Sequence, residues 1–100
     1  MPYLICYDIT KNSLRTKMGK LIIDAGLDRI NKSVYLGSIS DGALKQLEQA
    51  LALLVQTKGD GTDSLLLIPV SAAQVQEMRI YGSNDLDKNE LTGDKSTLML

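Results

Sequence analysis

The apolar residues of this chain switch between two periods along its length, and the order of the switches constrains the fold more than any motif does. Tyr3 to Tyr7 is a short apolar run of β-formers ending at Asp8, long enough for a central strand and too short for a helix. From Leu14 the period changes. Leu14, Met18, Leu21, Ile22 and Ala25 fall on one face of an amphipathic helix, with Arg15, Lys17, Lys20 and Asp24 opposite. Thr10, Asn12 and Ser13 are the available N-caps, and Gly26 is the natural stop. Residues 28–39 return to strand chemistry through Ile30, Val34, Tyr35, Leu36 and Ile39, and Asn31-Lys32 predicts a turn that makes them a hairpin. A second helix is predicted from Ser40 to Val55 on the stripe Leu44, Leu47, Leu51, Leu54 and Val55, followed by a loop over 56–63. Residues 64–70 hold a continuous Leu-Leu-Leu-Ile closed by Pro69, the strongest strand signal in the chain. Ser71 to Gln74 has capping-box spacing and predicts one helical turn. Met78 to Tyr81 predicts a last short strand, stopped by Gly82.

This order predicts an α+β chain, a ferredoxin-like βαββαβ sheet over residues 1–82 with both helices on one face and an extra C-terminal strand. Two helices cannot cover both faces of a four-stranded sheet. The other face is wet or meets a second molecule, and Leu-Leu-Leu-Ile favours a homodimer through the sheets. Residues 83–100 read as a polar tail whose apolar end, Leu98-Met99-Leu100, is expected to dock on the partner protomer.

Composition removes whole classes of chemistry. The chain has no His, which excludes a Ser-His-Asp triad, a Cys-His pair and a histidine-ligated metal. A single Cys excludes an internal disulfide and a multi-cysteine metal site. No apolar run approaches the ~20 residues of a membrane span, and the N-terminus has neither the charged start nor the cleavage site of a signal peptide, so a cytoplasmic location is expected with no membrane partner. Net charge is -1. That total hides a split, because residues 1–35 hold six basic and three acidic side chains. A two-fold dimer doubles this basic third into one surface.

Asp8 ends the first strand just before a helix-initiating loop. One or two carboxylates suffice for Mg²⁺, which keeps several waters, and a dimer axis near this strand end would supply Asp8 twice. The alternative is a carboxylate that caps the next helix or turns the chain. Arg15, Lys17, Lys20, Arg29 and Lys32 cluster as phosphate recognition requires, with Arg giving bidentate contacts; a solvated helix face has the same composition. Tyr7 and Tyr35 either stack on bases or lie half-buried in strands. Ser33, beside the turn, either donates to a phosphate or satisfies the turn. Cys6 reads as a small core residue.

Taken together these segments resemble a known family. Tyr3-Leu4-Ile5-Cys6-Tyr7-Asp8-Ile9-Thr10 is similar to the opening of the second of the universal CRISPR-associated proteins, where an aliphatic strand ends in Tyr-Asp-Ile. Residues 12–17 match its basic helix start. Residues 26–35 match its Gly-Leu-x-Arg-(hydrophobic)-Gln-x-Ser-Val-Phe segment, with Asn31 for Gln and Tyr35 for Phe. Residues 66–70 and 79–82 match its last two strands. The resemblance implies a ferredoxin-like homodimer that acquires CRISPR spacers, holding duplex DNA between copies of a larger integrase subunit. It also implies metal-dependent endonuclease activity on RNA or DNA, with single-stranded RNA as a second substrate class. Asp8 would be the catalytic residue, binding Mg²⁺ across the two-fold, and Arg15, Lys17, Arg29, Lys32, Ser33 and Tyr35 would contact nucleic acid. Lys17 stands where many members carry Arg, which removes the bidentate option there. A toxin-like ribonuclease and a small-ligand regulatory domain share the same fold and remain alternatives.

Overall fold

The structure is a computed structural model that describes residues 1–82; the tail expected to dock through Leu98-Met99-Leu100 lies outside the described residues. Its elements are β1 (Pro2–Asp8), α1 (Asn12–Asp24), β2 (Asp28–Asn31), β3 (Val34–Ser38), α2 (Asp41–Lys58), β4 (Ser64–Pro69) and α3 (Ala72–Gln76). The strands form one antiparallel sheet in the order β2-β3-β1-β4, which is the ferredoxin-like arrangement.

Period-2 alternation divides the sheet into two faces. Tyr3, Ile5 and Tyr7 of β1, Tyr35 of β3 and Leu65 and Leu67 of β4 pack under Leu14, Met18 and Ile22 of α1 and Leu44, Leu47 and Leu51 of α2. Ile5, Met18, Ile22 and Leu51 are wholly buried there. Each such side chain contributes roughly 1.5–3 kcal/mol. The helical stripes are therefore where the periodicity places them, and α2 extends three residues further, to Lys58.

Local chemistry sets the boundaries. α1 begins at Asn12 with Lys11 at the cap position and no side-chain cap, so none of the three candidate caps serves. Thr10 is engaged elsewhere, donating its backbone N–H and its hydroxyl to the Asp63 carboxylate at 3.0 and 3.1 Å. Gly26 does stop the helix. At φ +99° it donates to the Ile23 carbonyl while Leu27 donates to that of Ile22, a left-handed closure that glycine adopts without strain. The hairpin turns one residue later than the sequence suggests. Asn31 pairs with Val34, and Lys32-Ser33 is the turn, with Ser33 at φ +58°.

The second face carries Leu4, Cys6, Val34, Leu36, Leu66 and Ile68 by the same alternation. Cys6 is half-buried there, paired across the sheet with Val34 and Leu66, and not in the core. A third helix partly covers this face. The Ser71 capping box closes α3 and seats Val75 on Leu36, with Leu4, Ile30, Val70 and Met78 around them. Leu66 and Ile68 stay 51% and 39% exposed. Residues 78–81 form no strand in the single chain, because a strand needs a hydrogen-bonding neighbour and the sheet ends at β2 and β4 without them.

Candidate nucleic-acid interface

The site begins with a glycine inside a helix. Gly19 is buried in the middle of α1, and a Cβ there would stand 2.6 Å from the Tyr35 hydroxyl and 3.2 Å from that of Tyr7. A helix-interior glycine costs about 1 kcal/mol relative to alanine. Here it lets α1 seat directly on two tyrosines from neighbouring strands. Their rings stack with centroids 6.0 Å apart, and their hydroxyls meet at 3.2 Å. The Tyr7 hydroxyl also donates to the Arg15 carbonyl at 3.1 Å. Burial, reinforced by the bond and proximity to Tyr35, pushes the Tyr7 phenol up to about 12, against the opposing pull of Ser33 and Arg29. The Tyr7 phenol is thus neutral at ordinary pH.

Above this pair lies an open groove of about 540 Å³ whose lining includes Arg15, Lys20, Arg29, Lys32, Ser33 and the two tyrosines, and no carboxylate. The Arg15 guanidinium donates to the Ile9 carbonyl at 3.2 Å, which fixes the side chain and leaves its remaining donors available. Arg29 Nε reaches the Asn31 carbonyl at 3.4 Å. Among the described residues the ion pair found here is Lys20–Asp24, 3.5 Å apart and well exposed.

The groove unites five of the seven site residues that the resemblance implies, Arg15, Arg29, Lys32, Ser33 and Tyr35, together with Lys20 and Tyr7. Tyr35 enters it differently from a stacking aromatic. The residue is 5% exposed and its hydroxyl is engaged in a buried bond to that of Tyr7, so it forms the groove floor and offers no open ring face to a base. Lys17 lines a separate cleft on the other side of α1. Asp8 is exposed, pairs with Ser64, and by alternation points to the second face, away from its neighbour Tyr7 and from the groove.

The family model described as CRISPR associated protein Cas2 matches residues 1–78. The chain belongs to the Cas2 family. It is 36% identical over 63 residues to a CRISPR-associated endoribonuclease Cas2 of Pyrobaculum aerophilum, a match covering 63% of this chain and 67% of that protein. It is 36% identical over 56 residues to a Cas1/Cas2 endonuclease fusion of Thermoproteus tenax, covering 56% of this chain and 21% of the fusion. The crystal structure of Streptococcus pyogenes Cas2 superposes with a TM-score of 0.70 over 82% of this chain and all of that one, at 20% identity, which establishes the common fold.

Three features of this Cas2-family chain lie outside the residues singled out from the sequence. Gly19 does leave a signal, a glycine interrupting a helical stripe. Asp63 leaves none beyond loop composition, yet its carboxylate ties the β1–α1 loop to the α2–β4 loop, accepting from Thr10 and, at 3.0 Å, from the Asp60 backbone N–H. Lys11 and Lys58, distant in sequence, meet beside Lys17. No helix among the described residues is long and apolar enough to cross a membrane.

Proposed function

We propose that this Cas2-family chain is a CRISPR adaptation subunit, a homodimer packed through its second sheet face that holds duplex DNA between larger integrase subunits during spacer acquisition. The observation that carries this reading is the groove. Arg15, Arg29 and Lys32 converge on it with hydroxyl-bearing neighbours and no carboxylate. Such a lining attracts phosphate and repels nothing anionic. The exposed Leu66 and Ile68 support the dimer, and the Thermoproteus tenax relative, a fusion named for both Cas1 and Cas2, supports the integrase partnership. The test is a pull-down of purified chain with its integrase and duplex DNA. Wild type traps DNA at low salt and Arg15→Glu weakens the trapping. A complex that traps no DNA at low salt refutes the reading.

A second reading is favoured by Asp8, exposed at the end of β1, and by the endoribonuclease name of the Pyrobaculum aerophilum relative. Here the chain is a weak Mg²⁺-dependent endonuclease on RNA or DNA. The donor chemistry fits: a carboxylate oxygen is a hard ligand, and Mg²⁺ needs only one or two. No cluster of three metal-ligating side chains exists among the described residues, and in this reading Asp8 of a second copy supplies the other carboxylate. Bound Mg²⁺ would lower the pKa of a coordinated water and polarise a phosphoryl oxygen. Asp8 would hold and orient that ion, and the chain, lacking His, provides no obvious general base. Cleavage that persists in Asp8→Ala would sink this reading.

A further inference from the structure

A second basic cleft lies on the other side of α1. It measures about 460 Å³ and is lined by Lys11, Ser13, Leu14, Lys17, Thr57 and Lys58, again without a carboxylate. Its two walls are distant in sequence, the start of α1 and the end of α2, and Lys11 ties them by donating to the Lys58 carbonyl at 3.3 Å. Lys11, Lys17 and Lys58 are exposed and form no ion pair with a described residue. The first turn of α1 contains no acidic residue that would offset them. Three lysines therefore line one cleft together with Ser13 and Thr57, whose hydroxyl donates to the Leu53 carbonyl at 2.7 Å.

The groove and the cleft share α1 as a common wall. Arg15 and Thr16 face the former, while Ser13 and Lys17 face the latter. A helix is about 10–12 Å across with its side chains. One nucleic-acid strand carries a phosphate every ~3.4 Å of rise, so a backbone leaving the groove reaches the cleft within roughly three or four nucleotides. We propose that the cleft is a second phosphate-binding station for the nucleic acid held in the groove, with Lys11 and Lys58 as its contacts, so that the footprint straddles α1 and ends on α2. This rests on the nucleic-acid-holding reading above.

Lys58 also occupies a helix C-terminus, where a cation is favoured by the helix dipole. The readout must therefore be one that a dipole interaction leaves alone. That readout is the steepness of log binding constant against log salt for a duplex oligonucleotide, which drops by about 0.9 for each phosphate that the protein no longer neutralises. Lys58→Gln and Lys11→Gln are each expected to reduce the slope by about 0.9 for every protomer that contacts the duplex, and together by about twice that. Lys45→Gln, on α2 outside the cleft, leaves it unchanged. Should Lys11→Gln loosen the fold through its bond to α2, the Lys17→Gln/Lys58→Gln pair replaces it. An unchanged slope in the cleft variants, with Arg15→Gln still lowering it, overturns this proposal and leaves the groove reading intact; a cleft that serves an acidic protein surface gives that result. If wild type shows no salt-dependent binding, both readings fall.

Discussion

Replacing Gly19 by alanine should destabilise the native chain and should cease to do so once the Tyr35 hydroxyl is removed. The added methyl would stand 2.6 Å from the Tyr35 hydroxyl, inside any real contact distance, but 3.6 Å from the ring carbon that bears it, an ordinary one. Tyr35 cannot retreat, because its ring is stacked on Tyr7 in the core. Overpacking of this kind costs about 1–3 kcal/mol, while alanine in a helix interior recovers about 1 kcal/mol over glycine. Gly19→Ala is thus expected to cost up to about 2 kcal/mol in the native background. In Tyr35→Phe the clash with that oxygen is gone, and the same substitution becomes neutral or stabilising by up to about 1 kcal/mol. The Tyr7 hydroxyl, 3.2 Å from the new methyl, keeps its bond to the Arg15 carbonyl and can shift toward it once its phenolic partner is absent. The assay is a double-mutant cycle by urea unfolding at one fixed protein concentration, since an oligomer's stability depends on concentration. A coupling of about 1–3 kcal/mol is expected. Equal costs of Gly19→Ala in the two backgrounds would refute the seating of α1 on the tyrosine pair.

Asp63→Ala removes an acceptor shared by Thr10 and the Asp60 backbone, and should cost about 1.5 kcal/mol in chemical denaturation, near the low end for bonds to a charged group because the site is exposed; an unchanged midpoint would show that the two loops are held together by other means. Tyr7 makes an alkaline prediction. Its folded pKa stands near 12 against an ordinary 10.0, so the stability it confers is complete below pH 10 and is lost as pH rises toward 12. Phenolate absorbance should show one late-titrating tyrosine that Tyr7→Phe abolishes, and a late step surviving in that variant would assign it elsewhere. Asp24→Asn breaks the exposed Lys20 pair and should change stability by less than about 0.5 kcal/mol by thermal melt; a larger loss would mean that the pair is held more rigidly than its exposure implies.

The parts of the fold legible in the sequence are those that local periodicity determines. Leu14, Met18 and Ile22 bury where their spacing puts them, and so do Leu44, Leu47 and Leu51. The Ser71–Gln74 capping box forms because both of its bonds are local. What the pattern does not reveal depends on contacts between distant segments. Thr10 has the chemistry of a helix cap, yet its hydrogen bonds go to Asp63 across the fold. Residues 78–81 have strand composition, but composition does not supply a neighbouring strand. The covering of Leu36 by Val75 depends on where α3 lands after β4, which no local pattern encodes. The candidate site divides the same way. Clustering of basic residues in the first third predicts a basic groove, and the structure forms one. The assignment of Lys17 to a different cleft, and of Lys11 and Lys58 beside it, requires the packing of α1 on α2.

The adjacency of Tyr7 and Asp8 in sequence conceals the largest consequence for mechanism. Successive strand residues point to opposite faces, so Tyr7 faces the basic groove under α1 while Asp8 faces the side that carries Leu66 and Ile68. The two side chains thus leave β1 in different directions, although the Arg15 guanidinium reaches the same strand end, donating to the Ile9 carbonyl at 3.2 Å. The holding reading rests on the groove side of β1 and the cleavage reading on Asp8, so duplex binding distinguishes them on mutation. Asp8→Ala removes a carboxylate that lies outside the groove and should leave the salt slope of duplex binding unchanged. If Asp8→Ala alone abolished duplex binding, the two faces would have to be joined in the assembled dimer, with the groove of one protomer completed by the strand end of its partner.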